Sequence, residues 1–159
     1  MVSQWTLDGL ARFMKRQLEP DELDTLLNVE LALFVRLRDA LAAKRIWVWN
    51  ETGPRAPLVL RESVRFSFHP TIWAPDRLTG FVSPDIFATF EDGPDVVDDI
   101  HDEILRILPI GEAIDAGPMS VTFTNVESWG GQVKFGKSLY LPTVASFVAT
   151  PASPSTEPV

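Results

Sequence analysis

The sequence predicts an α+β domain: N-terminal helices, an antiparallel or mixed β-sheet, and one further helix packed on it. Three observations carry this. Apolar residues recur at helical spacing up to Ala43, period-two alternation takes over from Ile46, and one amphipathic stretch at 94–108 returns to helical spacing before strands close the chain. The 159 residues are 45% apolar, with ten Phe and five Trp, enough to fill one core. Residues 1–150 are therefore read as a single domain, and 151–159, rich in Pro, Ser and Thr, as a loose tail.

The elements follow in order. Leu7, Leu10, Ala11, Phe13, Met14 and Leu18 sit at helical spacing, and Glu19-Pro20 ends that run. A second helix is expected from Asp21 to about Ala43, with Leu23, Leu27, Leu31, Phe34, Leu37 and Leu41 as its inward stripe. Ile46-Trp47-Val48-Trp49 reads as a strand, followed by a Gly53-Pro54 break and a short Leu58–Leu60 run. Val64, Phe66 and Phe68 alternate with Ser63, Arg65 and Ser67 in a further strand. The three prolines of His69–Pro84 predict an irregular excursion before a strand at Ile86–Phe90. Pro94 suits a first helical turn, and Pro109 with Gly111 closes that helix at 108. Strands are expected at Ser120–Val126, in Gln132–Leu141 after a Gly130-Gly131 break, and at Val144–Ala149.

The net charge of −8 is localised. Residues 91–119 hold nine acids against one base, Arg106, while the rest of the chain is balanced. The acidic balance argues against a phosphate-binding surface, which needs clustered Lys and Arg. With no cysteine, disulfides, thiolate metal sites and Cys nucleophiles are excluded. No apolar run approaches the roughly 18 residues that span a bilayer, and Met1–Gly9 lacks a basic-then-apolar signal pattern. A soluble protein made inside a cell is the expectation.

Within the 94–108 helix, Val96, Val97, Ile100, Ile104, Leu105 and Leu108 form the inward stripe, so Asp95, Asp98, Asp99, Asp102 and Glu103 fall on the other side. The helix dipole favours the first of these acids. The pairs Asp98/Asp102 and Asp99/Glu103 are like charges one turn apart and cost a few tenths of a kcal/mol each. An ordinary solvated face, a surface that meets or repels a charged partner, and a weak divalent-cation site are the three readings. Asp98 and His101, three apart, supply two ligands for a cation with no third evident, and His69 precedes Pro70. The sequence implies no metal and no cofactor.

Gly131–Ser138 matches G-x-x-x-x-G-K-[ST] letter for letter. A phosphate-binding loop needs a helix after it. Here Leu-Tyr-Leu-Pro follows, with 21 residues left in all, so the segment is read as a hairpin loop bearing Lys134 and Lys137. Of the tryptophans, Trp47 and Trp49 point the same way in a strand and are read as core, while Trp73 and Trp129, in Pro- or Gly-rich sequence, are interface candidates. No G-x-S-x-G, H-E-x-x-H or Gly-rich dinucleotide turn occurs, which favours binding or assembly over catalysis.

The run Val29–Ala43 into Arg45–Trp49, the Pro54/Pro57 approach to a strand, the helix Asp95–Leu108 and the strands from Ser120 to Ala149 together resemble the phage tail terminator or tail-completion (head-tail connector) proteins of long-tailed viruses. The likeness covers about three quarters of the chain as element order, and the helix at Leu7–Leu18 departs from it. It implies a homo-oligomeric ring, commonly a hexamer, in the virion, contacting neighbouring tail or connector proteins. No catalytic residue carries over. DNA would pass without specific binding, kept from sticking by carboxylates. The alternative is an acidic inhibitor or immunity-type protein of the cytoplasm that binds a basic partner.

Overall fold

The computed structural model describes residues 20–50, 62–74, 76–89, 94–128, 133–135 and 138–152. They form an α+β fold in which two helices pack on a mixed sheet. The expected helix at Leu7–Leu18, the Leu58–Leu60 run and the tail beyond Ala152 lie outside the described residues.

Helix α1 spans Pro20–Ala42. Its fully buried stripe is Leu26, Val29, Leu33, Leu37 and Leu41, which follows the three-then-four spacing of one helical face. Leu23, Leu27 and Phe34 pack at the margin, whereas Leu31, expected to point inward, is 49% exposed. The buried stripe runs one residue out of step with the one expected from Leu27 and Leu31. The C-terminus is closed by Ile46 N–H on Leu41 O (3.0 Å) and Arg45 N–H on Ala42 O (2.9 Å), with Arg45 left-handed at φ 61°. This is the αL stop that usually employs glycine.

Strand β1 (Trp47–Asn50) lies parallel to β2 (Ser63–Ala74), which pairs antiparallel with β3 (Arg77–Thr89). Helix α2 (Pro94–Ile107) then leads into the short hairpin of β4 (Ala113–Ala116) and β5 (Met119–Ser128). A hairpin of β6 (Val133–Phe135) and β7 (Ser138–Leu141) follows, and β8 (Thr143–Pro151) ends the fold. The main order is β1-β2-β3-β8-β5-β4, with β7 also on β3.

The expected irregular excursion at His69–Pro84 is instead two paired strands. Pro70 and Pro84 stand where the ladder is already interrupted. Pro70 lies at a register shift in β2, and Pro75 lies outside the described residues. Pro84 faces the seam between β8, which pairs with β3 up to Val82, and β7, which resumes at Ile86. Of the segment that matches the phosphate-loop pattern, the described residues Val133–Phe135 pair with the strand that starts at Ser138, Phe135 opposite Ser138, so a strand and not a helix follows it. Strand β4 was not anticipated.

The core lies on the helix side of the sheet. Val64, Phe66 and Phe68 of β2, Val82 and Ile86 of β3, and Phe123 and Phe147 meet Val97, Ile104 and the α1 stripe. Phe34 tilts against Phe66 at 5.5 Å, and Phe147 contacts both Phe68 (5.8 Å) and Phe123 (6.2 Å), aromatic geometry worth about 1 kcal/mol per pair beyond burial.

Candidate interaction surfaces

Helix α2 is held by Val97, Ile100, Ile104 and Ile107, all buried. That stripe turns Asp95, Asp98, Asp99 and Asp102 to solvent. Glu103 behaves differently: its side chain is only 17% exposed, accepts Lys44 Nζ at 2.7 Å and also meets Arg106 one turn on. It pins the end of α1 to α2, as does Arg36, whose Nε donates to Ile107 O at 2.7 Å. Asp95, Asp99 and Asp102 make no ion pair among the described residues.

Between α2 and the end of α1 lies a cleft of about 650 Å³ with Ile46, Val96 and Ile100 among its apolar lining, Lys44 and Arg45 on one side, and Asp99 and Asp102 on the other. Bases and acids thus line the same cleft. Among the described residues, no three His, Asp or Glu side chains converge as metal ligands. His101 is half-buried on this helix with its Nε2 enclosed and without a hydrogen-bond partner. His69, in β2 rather than a loop, shares a 2.8 Å hydrogen bond with Ser67 Oγ and stacks on Phe81 at 4.6 Å.

The sheet face away from the helices carries a second cluster. Arg65 on β2 lies over Trp49 (6.0 Å), Phe87 (5.4 Å) and Tyr140 (5.9 Å), and its Nη2 donates to Asp85 Oδ2 at 3.0 Å. Strand alternation sets this up: Trp49, Arg65, Asp85 and Phe87 face one another by register, with Phe87 opposite Tyr140. Burial, followed by the nearby Asp85 carboxylate, pushes the Tyr140 phenol above its ordinary value, while Arg65 pulls it back. Cation–π contacts of this kind add about 0.5–2 kcal/mol.

The expected interface residues are only partly described. Trp73 lies in β2 rather than in a loop, Lys134 lies in β6, and Trp129 and Lys137 fall outside the described residues. Trp47, expected in the core, is 56% exposed; among the described residues β1 is the last strand of the sheet, and Trp47 lies on the face opposite the buried Val48. Only the sheet order reveals that position. Trp49 of the same strand is half-buried beside Arg65.

No protein-family model matches the chain, and no curated protein does. One solved structure, of a protein whose name carries no functional term, is similar at 14% identity and a TM-score of 0.67, covering 80% of this chain and 96% of that one. At that identity the likeness shows the fold alone.

Proposed function

We propose that this protein is a non-enzymatic virion assembly protein, a ring-forming tail terminator or neck component that joins a phage tail tube to its head. The observation that supports it is the exposed row Asp95, Asp98, Asp99 and Asp102 on α2, which the apolar stripe of that helix holds outward as a unit. Folding stability does not ask for like charges one turn apart. Lining a channel, they would repel DNA phosphates and let the genome pass without adhering, the reverse of the basic-patch logic of DNA binding.

The test is electron microscopy and native mass spectrometry of the purified protein, alone and with tail tubes. A closed ring seated on tube ends, with α2 toward the lumen, is expected. A ring with α2 on its outer rim would overturn the channel-lining role. A monomer that ignores tubes and binds a basic protein one to one would replace this reading by an acidic inhibitor.

A further inference from the structure

We infer that the tip of the β2–β3 hairpin of one copy seats in the α1–α2 cleft of the next, Arg77 against Asp99 and Asp102 and Ile72 on the apolar lining, and that this contact builds the ring. The inference rests on the ring reading above and adds the two surfaces that would join.

The cleft lies at one end of β2 and the tip at the other. Glu62, directly before β2, is part of the cleft lining. Ile72 and Ala74 end the strand at the hairpin, with Ala74 opposite Arg77. Ile72 follows Glu62 by ten positions, roughly 30 Å of strand at about 3.3 Å per residue. Pairing of β2 with β3 runs from Ser63 to Ala74, so the tip cannot fold back into the cleft of its own chain. Only a second copy can present one to the other. A contact that joins two different surfaces head to tail closes into a ring when each copy is rotated from the last.

Each surface carries what suits the other. At the tip, Ile72 is 55% exposed. Asp76 and Arg77 beside it are exposed and make no ion pair among the described residues. In the cleft, Ile46, Val96 and Ile100 offer apolar surface. Lys44 and Glu103 there are taken by each other. That leaves one base, Arg45, against three acids, Glu62, Asp99 and Asp102, none of them in an ion pair among the described residues. The surplus of carboxylates suits Arg77, and Arg45 suits Asp76. Asp95 and Asp98 lie outside the cleft lining and keep the channel role proposed above. Opposite charges brought together in this way set partner and register, and salt should weaken the contact.

Sedimentation velocity and native mass spectrometry of the full-length protein, alone and with tail tubes, read the contact. Ile72→Asp with Arg77→Glu disables the tip, and Asp99→Arg with Asp102→Arg disables the cleft. All four positions are exposed, so far-ultraviolet circular dichroism should stay that of the parent. Each pair should raise the concentration for half-assembly by roughly tenfold or more. A mixture of the tip variant and the cleft variant should stop at one-to-one dimers, because only one intact tip meets one intact cleft. Arg77→Glu combined with Asp99→Arg should regain the assembly that either change alone loses. Loss in the single variants without that recovery would overturn the pairing of Arg77 with the cleft acids. Rings that form undiminished in every variant would overturn the hairpin contact and leave the ring reading standing. A parent chain that stays monomeric at every concentration, tubes included, would overturn both.

Discussion

Asp85 replaces a missing piece of backbone ladder for Thr143: its Oδ1 accepts the Thr143 N–H at 3.1 Å. Strands β7 and β8 keep one register along β3, and Pro142 interrupts them opposite Asp85, with Thr143 opposite Pro84. Two prolines thus face the same gap. The buried carboxylate fills it on one side, and through Oδ2 it holds Arg65. Asp85→Ala removes the acceptor of a fully buried N–H and a charge partner of Arg65, and should cost about 2–4 kcal/mol in urea unfolding. Asp85→Asn keeps an acceptor and should cost clearly less. Unfolding midpoints of both variants equal to that of the parent would show that the carboxylate does not close the gap.

Tyr140 is the chain's one tyrosine, so absorbance near 295 nm follows its ionisation alone. The folded phenol should titrate above 10, because burial and the Asp85 charge both disfavour the phenolate. Asp85→Asn should bring the midpoint down, and Arg65→Met should raise it further. Stability should correspondingly fall as pH rises through 10, where the unfolded chain releases this proton first. A midpoint that ignores both substitutions would separate Tyr140 from the cluster.

Glu30 is 3% exposed on α1, and its Oε1 accepts Asn50 Nδ2 at 3.3 Å. Burial raises its pKa above 4.5, and the Asn50 hydrogen bond only partly offsets this. Below pH 4.5 both states keep the proton, so Glu30 carries no penalty there. As pH rises past 4.5 the unfolded chain ionises first, and folding loses stability until the folded-state pKa is passed. Glu30→Gln does not titrate, so its stability relative to the parent should increase from pH 4 to pH 7. Urea midpoints that differ equally at both pH values would contradict the raised pKa.

Local chemistry announced some of this molecule and hid the rest. Helix α2 was legible because Pro94, the apolar stripe and Pro109 act within one element, and the same spacing showed its acidic face. Its exception, Glu103, was not, since the Lys44 that covers it is 59 residues away. Strand β4 is built from Ala-Ile-Asp-Ala, a weak strand former, and exists through its hairpin with β5 around Gly117 at φ 68°. Pro70 and Pro84 misled because their tolerance depends on the bulge in β2 and the seam beside β3, both set by pairing across the sheet. Trp47 became visible as a residue of the last described strand, and Arg65 as the centre of an aromatic cluster, only once four separate strands were placed side by side.

Gly80 sits on β3 tight against the backbone of β2. It stands opposite Pro70, just before the register shift. A Cβ built on it would lie 2.5 Å from His69 O and 2.9 Å from Pro70 Cα, with the Phe147 ring at 3.2 Å beyond. The first two neighbours are backbone in a paired strand, so they cannot rotate aside as a flexible side chain would. Gly80→Ala must push β2 outward or shift Phe147, a fully packed member of the core. Overpacking of this kind costs about 1–3 kcal/mol. The loss should appear as a lower urea midpoint with weakened near-ultraviolet circular dichroism from the disturbed aromatic core. Gly111→Ala, with nothing within 4 Å of its added Cβ, serves as the control. Its φ of 84° predicts backbone strain of about 1 kcal/mol without the aromatic signal. If the two variants behaved alike in both measurements, the close approach at Gly80 would not be what requires glycine there.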